Sequence, residues 1–132
     1  MKLLADTSAL LALAMRDDQN HSKAIRFVER NPRVRFVVTD LILAELVTLV
    51  RARADAKTAV GIADSLLRSK RYEAVFIDPD LMAGALKQMI RYSDKRLSLT
   101  DCVSFEAMVR FGMTSAFSFD RHFRDCGFAM LP

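Results

Sequence analysis

Four carboxylates stand in settings where a lone charge is costly: Asp6, Glu45, Asp101 and Asp120. Asp6 closes the short apolar run Lys2 to Ala5, and Asp120 closes "TSAFSFD". Glu45 lies inside "LILAELVTLV", with Leu41 and Leu49 one helical turn away on either side and no basic residue within a turn. Asp101, in "LSLTDCVSFEAM", falls at 100° per residue on the side of Phe105, Met108 and Val109, opposite Glu106 and Arg110. Burying an unpaired charge costs several kcal/mol. Carboxylates brought together also repel, and each takes up a proton unless a cation is present. A divalent metal is the natural compensation. Oxygen ligands select Mg²⁺ or Mn²⁺, and the only histidines, His21 and His122, are not spaced for zinc. An acidic cluster holding such an ion suits phosphoryl chemistry. The ion clamps phosphate, makes hydroxide available near neutral pH and stabilises the leaving oxygen.

Singly, each acid has an ordinary structural use. Asp6 can cap the following helix with Thr7 or Ser8, Asp101 can favour a helix dipole, Glu45 can enter a salt bridge and Asp120 can serve a turn. A shared site requires that the fold gather them, so the elements decide. Five short strands are expected: Lys2 to Ala5, Val34 to Val38, "EAVFID", "TSAFSFD" and "GFAML". Helices are expected over Ser8 to Met15, Asn20 to Arg30, Leu41 to Arg53, Ala56 to Ser69, Pro79 or Asp80 to about Tyr92, and from an N-cap at Thr100 to Phe111. Strands alternating with helices imply an α/β fold around a mostly parallel sheet. Ligands in such sheets sit beyond the carboxyl ends of the strands, where Asp6 and Asp120 would lie.

The 132 residues, 52% hydrophobic and 27% charged, read as a single domain over 1–132 able to bury a core. The longest apolar run, Ala9 to Met15, is too short to span a bilayer. Asp6, Thr7 and Ser8 interrupt what would otherwise resemble a signal peptide. With Cys102 and Cys126 showing no metal-type spacing, a reducing, cytoplasmic setting is expected. The net charge of +4 includes basic clusters at Arg30 to Arg35, Arg51 to Arg53 and Arg68 to Arg71, which suit a polyanionic partner.

"LLADTSALLAL", "TDLILAELVTLV", "LSLTDCVSFEAM" and "FSFDRHF" resemble, in order and spacing, the motifs of the PIN-domain ribonucleases. The likeness spans essentially the whole chain and is closest to the VapC toxins of VapBC toxin–antitoxin systems. It implies a three-layer α/β/α domain with about five strands that cleaves RNA using Mg²⁺ or Mn²⁺. By position, Asp6, Glu45 and Asp101 match the metal-binding acids, and Asp120 matches a fourth, more variable one. Ser8 matches a supporting hydroxyl. Thr100 resembles the Thr of a Thr-Asp pair that orients the carboxylate or reaches phosphate. The resemblance also implies a homodimer and a VapB-type antitoxin laid in a groove near the site. The helices Leu41 to Arg53 and Ala56 to Ser69 are candidates for that groove, although the face Ile42, Leu46, Leu49 and Val50 serves equally well as core.

Other classes fit less well. A housekeeping PIN nuclease without an antitoxin, or a non-catalytic RNA-binding module on the same fold, shares the motifs. An aspartyl-phosphate phosphatase wants an Asp at position 8, which is Ser, and a receiver domain wants an acid pair ending the first strand. The RNA target, whether tRNA, ribosomal RNA or message, is not specified by these residues.

Overall fold

The computed structural model describes residues 1–132. In chain order the elements are β1 (Lys2–Ala5), α1 (Thr7–Ala14), α2 (His21–Arg30), β2 (Arg35–Thr39), α3 (Asp40–Arg53) and α4 (Ala56–Arg68). They continue with β3 (Tyr72–Val75), α5 (Pro79–Arg91), α6 (Leu99–Arg110), β4 (Ser115–Phe117), α7 (His122–Asp125) and β5 (Ala129–Leu131). The strands form one sheet in the order β3-β2-β1-β4-β5, and every neighbouring pair is parallel. From β1 the chain walks outward through β2 to β3, then crosses back to β4 and β5. Right-handed crossovers therefore put α1 to α4 on one face and α5 to α7 on the other, which gives three layers. The direction of winding reverses between β1 and β4, and the carboxyl ends of those two strands flank the resulting crevice.

Aromatic packing fills both interfaces. Phe117 of β4 stacks on Phe27 of α2 at 4.9 Å and tilts against Phe36 of β2 at 5.3 Å. On the other face Phe105 of α6 meets Phe123 at 5.1 Å and Phe128 at 5.4 Å. A smaller cluster of Leu81, Ala85, Cys102, Val103 and Ala107 joins α5 to α6.

This second interface corrects the one-faced reading of α6. Phe105 and Met108 belong to the main core, while Cys102, Val103 and Ala107 pack toward α5. The helix is thus buried on two sides, and Val109 is turned out, 59% exposed. Its N-cap is Ser98 rather than Thr100. Ser98 Oγ accepts from the Asp101 N–H (3.1 Å), and the Ser98 N–H donates to Asp101 Oδ2 (3.2 Å), closing a capping box. Thr100 is the second helical residue, buried and turned inward. Most other expected elements shift by a residue or so at their ends. But "FSFD" leaves the sheet after Phe117, "EAVFID" leaves it after Val75, where Asp78 instead caps α5, and the last strand begins at Ala129. The turn of helix α7 was not expected from the sequence.

The apolar face of α3 is core: Ile42, Leu46 and Val50 are at most 1% exposed, and of that set only Leu49 reaches the surface. An open groove of about 500 Å³ lies beside it, between Leu10, Leu13 and Ala14 of α1 and Gly61, Ile62 and Leu66 of α4. No helix is long and apolar enough to cross a membrane.

Leu4, at the centre of β1, is wholly buried. Leu4→Ala should lower unfolding free energy by about 2–5 kcal/mol in urea titrations; a loss under about 1 kcal/mol would show that β1 is not the packed centre of the sheet.

Candidate active site

Asp6 follows the last residue of β1 and caps α1, so the strand end and the helix N-terminus fix it together. Its N–H donates to the Phe117 carbonyl (3.0 Å), tying it to the neighbouring strand. The carboxylate is 5% exposed. Three donors converge on Oδ2: Ser8 Oγ at 2.8 Å, Ser118 Oγ at 3.2 Å and the Ser8 N–H at 3.4 Å. Oδ1 receives no such bond. Ser8 in turn accepts from the Phe119 N–H (3.0 Å), and Ser118 accepts from the Asp120 N–H (2.9 Å). Two hydroxyls therefore stitch the end of β1 to the end of β4. Ser8 was expected to support the site; Ser118, fully buried between two phenylalanines, was not.

Glu45 projects from the middle of α3, half-buried, and its Oε1 accepts from Thr7 Oγ1 at 2.9 Å. Thr7 is a second residue that sequence reasoning left to helix capping alone. Asp101 sits in the first turn of α6, its side chain 13% exposed. Asp120 follows β4 and accepts from the His122 N–H at 3.0 Å, a local turn that starts α7.

The tightest group of potential ligand atoms comprises Asp101, Asp120 and His122, all within 4.8 Å of one another. His122 Nδ1 lies 3.4 Å from Asp101 Oδ2 and 3.3 Å from Asp120 Oδ1. That nitrogen is buried and makes no hydrogen bond of good geometry. Asp6 faces the same two acids, and Glu45 stands on the α3 side, outside the tight group. Of the four acids, then, Asp6, Asp101 and Asp120 are mutually close, and the unforeseen member is a histidine.

The electrostatics follow from that crowding. Burial pushes the Asp6 carboxyl up to about 6; the Ser8 hydrogen bond opposes the shift, and the charges of Asp101 and Asp120 add to it. Burial also raises Asp101, opposed by the Ser98 N–H, reinforced by Asp120 and relieved by His122. No lysine or arginine pairs with any of the four acids. Two of the basic clusters lie elsewhere, because Arg35 opens β2 and Lys70 and Arg71 precede β3. Arg71 is committed to the Val34 and Asn31 carbonyls and the face of Phe36. The segments Arg30 to Arg35 and Arg68 to Arg71 thus lead into the amino ends of β2 and β3, away from the acids. Exposed cations near the acids are Arg96, two residues before Ser98, and Arg121, next to Asp120.

An acid-lined crevice with no lysine or arginine paired to it lies at the switch point of a parallel sheet, in an α/β domain. The chain belongs to the PIN domain family, whose pattern matches residues 3–129. Among curated proteins it is similar to the 23S rRNA-specific endonuclease VapC20 of Mycobacterium tuberculosis, 29% identical over 126 residues, covering 96% of this chain and 95% of that protein. The crystal structure of M. tuberculosis VapC20, described as a sarcin–ricin loop cleaving toxin, superposes with a TM-score of 0.89 at 27% identity over 96% of both chains. The fold is also that of VapBC2 from Rickettsia felis bound to a promoter DNA fragment, with a TM-score of 0.69 at 10% identity, covering 98% of this chain and 97% of that one.

Because Asp6 is harder to ionise folded than unfolded, it destabilises the metal-free protein above pH 6 by an amount of order 3 kcal/mol. The penalty disappears as pH falls from about 6 toward the ordinary value of 3.8. Asp55, Glu73 and Asp78 are shifted the other way, so their support is intact above about pH 4 and lost as pH falls through their lowered values. In EDTA the urea midpoint should therefore rise from pH 7 to pH 5 and turn down below about 4; a monotonic fall from pH 7 would contradict the site electrostatics.

Proposed function

We propose that this protein is a Mg²⁺- or Mn²⁺-dependent endoribonuclease, the toxin of a type II toxin–antitoxin pair. The observation that carries the reading is the gathering of Asp6, Asp101 and Asp120, with Glu45 alongside, at one rim without a lysine or arginine to balance them. The donor set fits a hard divalent ion, and the orphaned His122 Nδ1 marks a place where a positive partner belongs. Asp6, Asp101, Asp120 and, from the α3 side, Glu45 are the residues that would hold it.

The bound ion supplies charge neutralisation at the phosphate and a water ionisable near neutral pH. The chain's own residues do the positioning. Ser8 and Ser118 fix Oδ2 of Asp6 and leave Oδ1 free of hydrogen bonds. Thr7 holds Glu45, and the capping box holds Asp101. Thr100, buried in the first turn of α6 next to Asp101, helps to seat that turn. The exposed Arg96 and Arg121, close in sequence to Asp101 and Asp120, are candidates to meet phosphates of the RNA. Attack is by water, so no side chain becomes covalently attached.

For substrate, the similarity to VapC20 makes 23S ribosomal RNA the first to test. The partner is a VapB-type antitoxin, with an apolar segment suited to the groove between α1 and α4; assembly is as a homodimer, and the setting is cytoplasmic, where Cys102 and Cys126 remain free thiols.

Asp6→Asn and Asp101→Asn keep shape and remove charge. Each should cut RNA at least about a hundredfold more slowly in Mg²⁺ while remaining folded, a loss at or above that seen for outer partners of metal ligands. EDTA should stop wild-type cleavage, and Mn²⁺ should restore it. Parental rates in either variant, or cleavage unaffected by EDTA, would overturn the assignment.

A further inference from the structure

His122 is the one residue of the crevice that the acidic motif does not account for. It opens α7, and its side-chain direction is set by its own N–H bond to Asp120 and by the burial of Phe123 beside it. Nδ1 is buried, has no hydrogen-bond partner and points between two carboxylate oxygens 3.3 and 3.4 Å away. Ligands bound to one ion at about 2.0–2.2 Å stand about 3.0–3.5 Å apart when adjacent, so the nitrogen already stands at ligand spacing from each of the two oxygens.

Resting on the reading of this crevice as a metal site, we propose that His122 Nδ1 is a nitrogen ligand to the ion held by Asp101 and Asp120. The imidazole then binds as the neutral tautomer with its proton on Nε2. A nitrogen donor changes the selectivity of an otherwise all-oxygen set. Imidazole is a good ligand for first-row transition ions, whereas Mg²⁺ keeps to oxygen and gives up water reluctantly. His122 therefore tilts this half of the site toward Mn²⁺, and carboxylates alone would not produce that preference. Phe123, locked in the core against Phe105, makes the nitrogen part of the rigid frame rather than of a loose loop.

The test is electron spin echo spectroscopy of the full chain loaded with Mn²⁺, without RNA, so that activity plays no part in the readout. The chain has two histidines, and the other, His21, is held at the Ala12 carbonyl at 2.7 Å. Wild type and His21→Gln should both show a directly coupled imidazole nitrogen, and His122→Gln should lose it. Calorimetric titration should show Mn²⁺ affinity falling about tenfold or more in His122→Gln, with Mg²⁺ affinity changing less than about threefold. Bound Mn²⁺ in wild type with no coupled nitrogen would overturn the assignment of His122 and leave the metal site standing. Failure of wild type to bind Mn²⁺ at all would overturn the metal reading itself and this inference with it. Should His122→Gln not fold, the wild-type and His21→Gln spectra still decide the matter.

Discussion

Mutual repulsion among carboxylates at the carboxyl rim of the sheet is the constraint around which this molecule is arranged. Asp6 is nearly buried and looks at Asp101 and Asp120, and burial plus like charge drives it up to about 6. A fold selected only for stability would place an arginine there or remove the acids. Here no lysine or arginine pairs with the four acids, and the clusters that lead into β2 and β3 lie at the other end of those strands. The unbalanced charge is the property that an ion can exploit.

Holding repelling groups in place needs a stiff frame, and the parallel sheet supplies one. Asp6 and Asp120 leave adjacent strands β1 and β4, and the Asp6 N–H bond to Phe117 locks those strand ends together. Hydroxyls do the finer work. Ser8 and Ser118 each bond Asp6 and also accept a backbone N–H from the segment after β4. Helix N-termini contribute as well, since Asp6 caps α1 and Asp101 closes the capping box of α6, where backbone N–H groups favour negative charge. The same contacts that start the helices thus offset part of the repulsion.

Much of this arrangement was legible in the sequence because apolar runs and their order are legible, even where the strands themselves stop short of the runs' ends. Placing Asp6 and Asp120 at the ends of apolar runs was enough to predict one rim, given a parallel sheet. The misses share a cause: periodicity sees one helix face at a time and nothing beyond a few residues. Val109 was placed inside because α6 was read with one buried side, whereas α5 supplies a second. Thr100 reads as the cap because a hydroxyl ahead of an apolar run suffices for that reading; the reciprocal bond with Asp101 marks Ser98 instead. The basic clusters were spread along the chain, and nothing local showed that two of them fall at the amino ends of β2 and β3. Ser118 and His122 were invisible for another reason. A serine between two phenylalanines reads as strand filling, and "RHFRD" is too short for a helical pattern, so neither could be aimed at the site without coordinates.

The central claim, that the crevice is unstable by itself and made stable by a cation, is tested most directly by melting wild type and Asp6→Asn side by side at pH 7.5. In EDTA the account predicts that the variant melts higher, because a buried repelling charge is gone. With saturating Mn²⁺ it predicts the reverse order, because binding stabilises only the chain that keeps its ligand. The same order in both conditions would contradict it.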